Sequence, residues 1–141
     1  MKQNKKKGFT LLEIIIVIII IGVMASLALP RFFQMVEYSR SAEALTNLGT
    51  LRGSMERCYL QTNNYTLCPA LTDLDVGDPG QTAGTHFTYA ISGTTATGGF
   101  TITATRNTTD GGSTGSTIAL GQNNATGAVT YTGQGAFQGI K

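Results

Sequence analysis

The pattern of apolar and polar positions changes twice along the chain. From Ile14 to Leu29 run sixteen residues whose only polar side chain is Ser26. Counted from Phe9 the stretch is 21 residues; as a helix it would reach about 32 Å, close to the roughly 30 Å hydrocarbon core of a bilayer. From Arg31 to about Leu60 apolar residues return at three- and four-residue steps: Tyr38, Ala42, Leu45, Leu48, Leu51, Met55, Cys58 and Tyr59. That spacing predicts an amphipathic helix. After Gln61 the period becomes two. Phe87–Ile91, Phe100–Thr105, Thr117–Leu120 and Ala128–Thr132 alternate apolar with polar residues, as half-buried antiparallel strands do.

These elements define an α+β chain: one long N-terminal α-helix, its C-terminal half packed on a small antiparallel β-sheet head. The apolar face of the sheet meets the helix stripe from Leu45 to Tyr59. The segments are 1–8, a basic leader; 9–30, an apolar helix; 31–61, its amphipathic continuation; 62–84, a loop with a turn at Asp78-Pro79-Gly80; and 85–141, the sheet. A helix from Phe9 to Leu60 would be about 78 Å long. A head of this size cannot bury it, so its first half has to face lipid or other copies of the chain.

Pro30 removes a backbone donor and clashes with the carbonyl of Ser26, and Gly22 is a second weak point, so a kink or local melting is expected between them. Gly49 and Gly53, one turn apart, are expected to let the sheet approach the helix closely. Glu37, Arg40 and Glu43 at three-residue spacing, and Arg52 and Glu56 at four, are expected to pair along an exposed helix face.

Charge narrows the function classes. The formal net charge is +2, but four of the ten basic residues are Lys2, Lys5, Lys6 and Lys7. Without residues 1–8 the balance is six basic against eight acidic, or −2, which does not favour a nucleic-acid partner. The lysines precede the apolar stretch, placing them in the cytoplasm and Pro30 onward outside. An exported chain with two cysteines, Cys58 and Cys68, is expected to form one disulfide; the alternative is two free thiols.

The export signal has two readings. Ser26-Leu27-Ala28 would serve an ordinary signal peptidase and release a soluble protein from Leu29. Alternatively the cut falls before the apolar stretch and the helix is kept. Glu13 favours the second, because a carboxylate in a bilayer segment costs a few kcal/mol and is retained where it has a partner. Lys7-Gly8-Phe9-Thr10-Leu11-Leu12-Glu13 with the aliphatic run after it resembles the class III signal of type IV prepilins and type II secretion pseudopilins. The resemblance covers the first 30 residues and extends along the helix to about residue 60. It implies the type IV pilin fold, cleavage by a prepilin peptidase between Gly8 and Phe9, N-methylation of Phe9, and recruitment of the next subunit by Glu13. It also implies self-polymerisation, inner-membrane assembly machinery, and passage from the inner membrane to an extracellular pilus serving adhesion, motility or DNA uptake. A pseudopilin of a type II secretion system is the alternative.

The rest of the chain offers little catalytic chemistry. His86, the single histidine, begins a strand and reads as a surface or edge residue. Asp73, Asp75 and Asp78 share a loop without the spacing of a calcium site. There is no phosphate-binding glycine loop, Ser/His/Asp set or carboxylate pair, so neither an enzyme nor a metal or other cofactor is expected. Asn64, Asn107 and Asn124 each begin an Asn-X-Thr sequon and are candidate glycosylation sites.

Overall fold

The computed structural model describes residues 9–141. The chain divides into two compact units, one ending at Met35 and one spanning Val36–Lys141. Helix α1, Leu11–Thr62, begins in the first and ends in the second.

In the first unit the apolar side chains from Leu11 to Met35 are unburied. The helix is long and apolar enough to cross a membrane. It is continuous across Gly22 and Pro30, so the melting expected there is absent from this structure. Proline deprives a single carbonyl, that of Ser26, of its partner, and neighbouring turns tolerate the loss. A bend at Pro30 remains an expectation.

In the second unit the chain forms strands β1 (Phe87–Thr95), β2 (Gly99–Arg106), β3 (Thr117–Asn123) and β4 (Ala128–Gln134). They make one antiparallel meander in the order β1-β2-β3-β4. The register lines Ile91, Ile102, Leu120 and Tyr131 into one cross-strand row, and Tyr89, Ala104 and Ile118 into the next. Each strand outlasts its apolar alternation because the backbone ladder continues through polar pairs such as Ser92 with Thr101. Gly99 sits at φ 132°, and a Cβ there would lie 1.9 Å from the Gln122 carbonyl oxygen; only glycine fits this strand start.

The core joins the inward rows of the sheet to Ala44, Leu48, Leu51, Met55 and Cys58 of α1, with Tyr65 and Phe137 closing its ends. The buried stripe passes through Ser41 and Ala44, whereas Ala42 and Tyr38 are exposed. Stepping back from Leu48 by four and then three residues reaches 44 and 41; the expected stripe slipped off this face in its first turns. The glycine expectation also fails. A Cβ at Gly49 would meet nothing within 4 Å, and one at Gly53 would meet only the Arg57 side chain, so neither residue provides the close approach to the sheet.

The loop after the helix carries three short 3-10 turns, Tyr65–Leu67, Leu71–Asp73 and Pro79–Gln81. Its three acids are each engaged. Asp73 accepts from the Ala70 N–H at 3.0 Å, and Asp78 accepts from the Gly80 N–H at 2.8 Å. Asp75 accepts from Arg57 at 2.5 and 2.8 Å and also from Ser54. The Arg57 and Ser54 hydrogen bonds hold the Asp75 carboxyl down to about 2. A disulfide joins Cys58 of α1 to Cys68 of this loop. Closing so short a loop is worth roughly 2–3 kcal/mol. Cys58→Ser should therefore lower the unfolding free energy of the sheet unit by about that amount, read as a lower urea midpoint for the full chain in detergent. An unchanged midpoint would show that the bridge does not limit stability.

Candidate assembly site

The apolar helix starts on a local device that the residue types dictate. Thr10 precedes the first helical residue and Glu13 lies three residues on, the spacing of a capping box. The Glu13 backbone N–H donates to Thr10 Oγ1 at 3.3 Å. The Thr10 backbone N–H and hydroxyl donate to Glu13 Oε2 at 2.7 and 3.0 Å. The single chain thus satisfies one carboxylate oxygen of Glu13 beside the positive end of the helix dipole. Phe9, next to this cap, is 85% exposed; Gly8 lies outside the described residues. The cap was legible as Thr-X-X-Glu, although attention to Glu13 alone passed over Thr10.

A second cluster of functional groups occupies one end of the sheet. Arg106 ends β2 at an inward position and is 1% exposed. Its Nε and Nη2 donate to Glu37 Oε2 and Oε1 at 3.0 and 3.1 Å, a two-pronged pair. Its Nη1 donates to the His86 and Asn107 carbonyls at 3.2 and 3.3 Å. The Phe87 ring centroid lies 5.8 Å from its Cζ. His86 lies beside this pair with Nδ1 2.6 Å from Glu43 Oε2 and Nε2 2.7 Å from Asp110 Oδ2. Asp110 also accepts from Arg40 at 2.9 Å.

The expected Glu37, Arg40 and Glu43 pairing along the helix is therefore not formed. Each of the three reaches across to the sheet or its flanking loops, Glu37 because the buried stripe, continued one turn back from Ser41, includes it. Arg52 and Glu56 do pair as expected, at 2.8 Å. His86 is a half-buried bridge, its side chain 12% exposed, and not a surface residue. Burial pushes the Glu43 carboxyl up, but hydrogen bonds from the His86 backbone and ring and from Thr85 outweigh it and hold the group below the ordinary carboxylate range. The His86 ring, with help from Arg40 and Arg106, likewise holds Asp110 low. For depressed carboxyls the stabilisation is present above the ordinary range and is lost as pH falls through the lowered values.

The sequons are not equivalent. The Asn107 amide donates to the Thr85 carbonyl at 2.9 Å, and its oxygen accepts from the Thr109 N–H at 2.9 Å. Asn64 caps the turn at Tyr65 through its oxygen, and Asn124 Oδ1 accepts from the Tyr65 hydroxyl at 3.4 Å. Glycosylation at Asn107 would leave its amide a single N–H, the one that the bond to Thr85 uses. Among the described residues no cluster of His, Cys, Asp and Glu has metal-site geometry.

Comparison with known proteins places this arrangement. Residues 30–119 match the family described as type IV minor pilin ComP, DNA uptake sequence receptor, and residues 3–29 match the prokaryotic N-terminal methylation motif. Two sequences of the type IV major fimbrial protein FimA of Dichelobacter nodosus are 33% identical over 92 residues and 31% identical over 107. These alignments span 64% and 65% of this chain, and 59% and 68% of FimA. Type II secretion system core protein G of Aeromonas hydrophila is 30% identical over 79 residues, covering 56% of this chain and 55% of that protein. The crystal structure of the Neisseria meningitidis non-core minor pilin PilV aligns at a TM-score of 0.49 and 19% identity, over 77% of this chain and 99% of that one. The chain belongs to the type IV pilin family, a family of structural subunits and not of enzymes. Its methylation motif and exposed apolar helix fit a membrane-anchored precursor.

Proposed function

We propose that the protein is a structural subunit of a type IV pilus, held in the inner membrane by α1 and then polymerised through the same helix into an extracellular filament. A prepilin peptidase cuts between Gly8 and Phe9 and methylates the new amino group. Assembly machinery in the inner membrane then extracts the chain, and Glu13 recruits the next copy by accepting its Phe9 ammonium. The observation that carries this reading is the run from Phe9 to Met35, in which no residue is buried. Lipid covers it before assembly and other copies cover it afterwards.

The pseudopilin role is the second reading, supported by the likeness to core protein G. Receipt of DNA finds less support. Among the described residues from Val36 on, Arg40, Arg52, Arg57 and Arg106 all lie in ion pairs with carboxylates. Lys141 is the one Lys or Arg side chain left outside a pair, whereas affinity for a duplex draws on several cations placed against phosphates.

Mass spectrometry of the purified protein tests the proposal. The expected mature chain begins at N-methylated Phe9, and a chain beginning at Leu29 would overturn the retained helix. Electron microscopy of sheared cells then separates the two readings: long surface filaments containing this chain are expected, and their absence, with the mature chain confined to the envelope, would favour the pseudopilin.

A further inference from the structure

The bridge at His86 has a chemical requirement that the fold alone does not impose. Glu43 and Asp110, both ionised at neutral pH, can only accept hydrogen bonds. They stand at 2.6 and 2.7 Å from the two ring nitrogens of one histidine. A neutral imidazole has one N–H, so one nitrogen would turn a lone pair toward a carboxylate oxygen. Only the ring bearing both N–H groups satisfies both contacts. The two carboxylates belong to different elements. Glu43 is on α1, and Asp110 is in the loop between β2 and β3, at a left-handed φ of 59°. That loop lies over the buried arginine, since a Cβ on Gly112 would come within 2.1 Å of Arg106 Cζ.

We propose that His86 is a pH-sensitive latch: with both ring nitrogens protonated it ties the β2–β3 loop to α1 over Arg106, and on losing one proton it lets the loop lift. Glu43 faces the His86 ring from the helix and Asp110 from the loop. Arg106 of β2 donates only to its backbone carbonyl. Arg40 of α1 reaches Asp110 rather than the ring. When the proton leaves, Asp110 keeps its Arg40 partner, itself 38% exposed and therefore weakly held. The anchors at Asn107 and Thr109 persist, because the Asn107 amide and the Thr109 hydroxyl both donate to the Thr85 carbonyl. The loosened part is then residues 110–115. The latch does not depend on the pilus reading, since it lies wholly within residues 36–141.

Hydrogen–deuterium exchange of the full chain in detergent micelles tests it, with rates corrected for the intrinsic effect of pH. Between pH 5.5 and 8.5, protection of the Gly111, Gly112 and Gly115 amides is expected to fall roughly tenfold, the scale of one charge-assisted hydrogen bond. Amides of β3 should serve as an unchanged reference. In His86→Gln and Asp110→Asn the loop should exchange fast at both pH values. A parent loop whose protection stays flat over this range would overturn the latch. So would an equal pH response in either variant.

Discussion

Glu13→Ala is expected to leave a processed, membrane-resident chain whose filaments are lost. Among the described residues of the single chain Glu13 is engaged only by Thr10, and that cap uses one carboxylate oxygen. A methylated ammonium on Phe9 of an arriving copy can approach the other. Within a filament core sealed from water, removing one member of such a pair costs about 3–5 kcal/mol, because the remaining charge is left uncompensated. A loss of that size weakens each association more than 100-fold, so sheared filament protein should fall at least tenfold while the membrane pool persists. The capping box provides the control. Glu13→Gln keeps a residue that can complete the box at this position but removes the charge. Failure of both variants would assign assembly to the charge. Assembly of Gln but not Ala would reduce Glu13 to a helix cap, and normal filaments with both would remove it from assembly.

The long-range architecture was legible because it rests on periodicity. A run of apolar residues, a three-four stripe and four period-two segments define a helix and a meander, whatever the details of packing. The charged cluster was less legible, although its positions follow from the same periodicities. Inward residues 100, 102 and 104 of β2 lead by one more step to Arg106, and the helix stripe 48, 44 and 41 leads by one more turn to Glu37. Arg106 therefore lies on the face assigned to the core, whereas Glu37 lies on the buried stripe that the expected helix face, drawn through Ala42 and Tyr38, had left. Reading charge as a sign of solvent exposure put Glu37 on the wrong side of the helix. What the sequence could not supply is the loop geometry that carries Asp110 to His86, because that depends on a left-handed residue and on contacts 24 positions apart. Gly49 and Gly53 failed for a simpler reason: spacing identifies a strip but not which way it faces.

The Arg106–Glu37 pair sets the largest expected change in stability. Arg106 is nearly sealed from solvent, and the Glu37 side chain is only 14% exposed. Glu37→Ala would leave a guanidinium buried against Phe87 with carbonyl acceptors and only the field of the more distant Asp110 as counter-charge. Breaking a buried pair from one side costs about 3–5 kcal/mol. With a urea slope of about 1–3 kcal/mol per molar, the midpoint of the sheet unit should drop by more than about 1 M. Tyrosine fluorescence can follow it, since Tyr65 and Tyr89 are buried and the chain has no tryptophan. Arg106→Met should lose less, because the thioether fills part of the volume and Glu37 lies near enough to the surface to recruit water. The double change Glu37→Leu with Arg106→Met should recover most of the loss, since apolar replacement of both partners of a buried pair is often neutral or stabilising. If Glu37→Ala stays within about 1 kcal/mol of the parent, water has reached the guanidinium. The pair would then orient the sheet's edge on the helix without contributing materially to its stability.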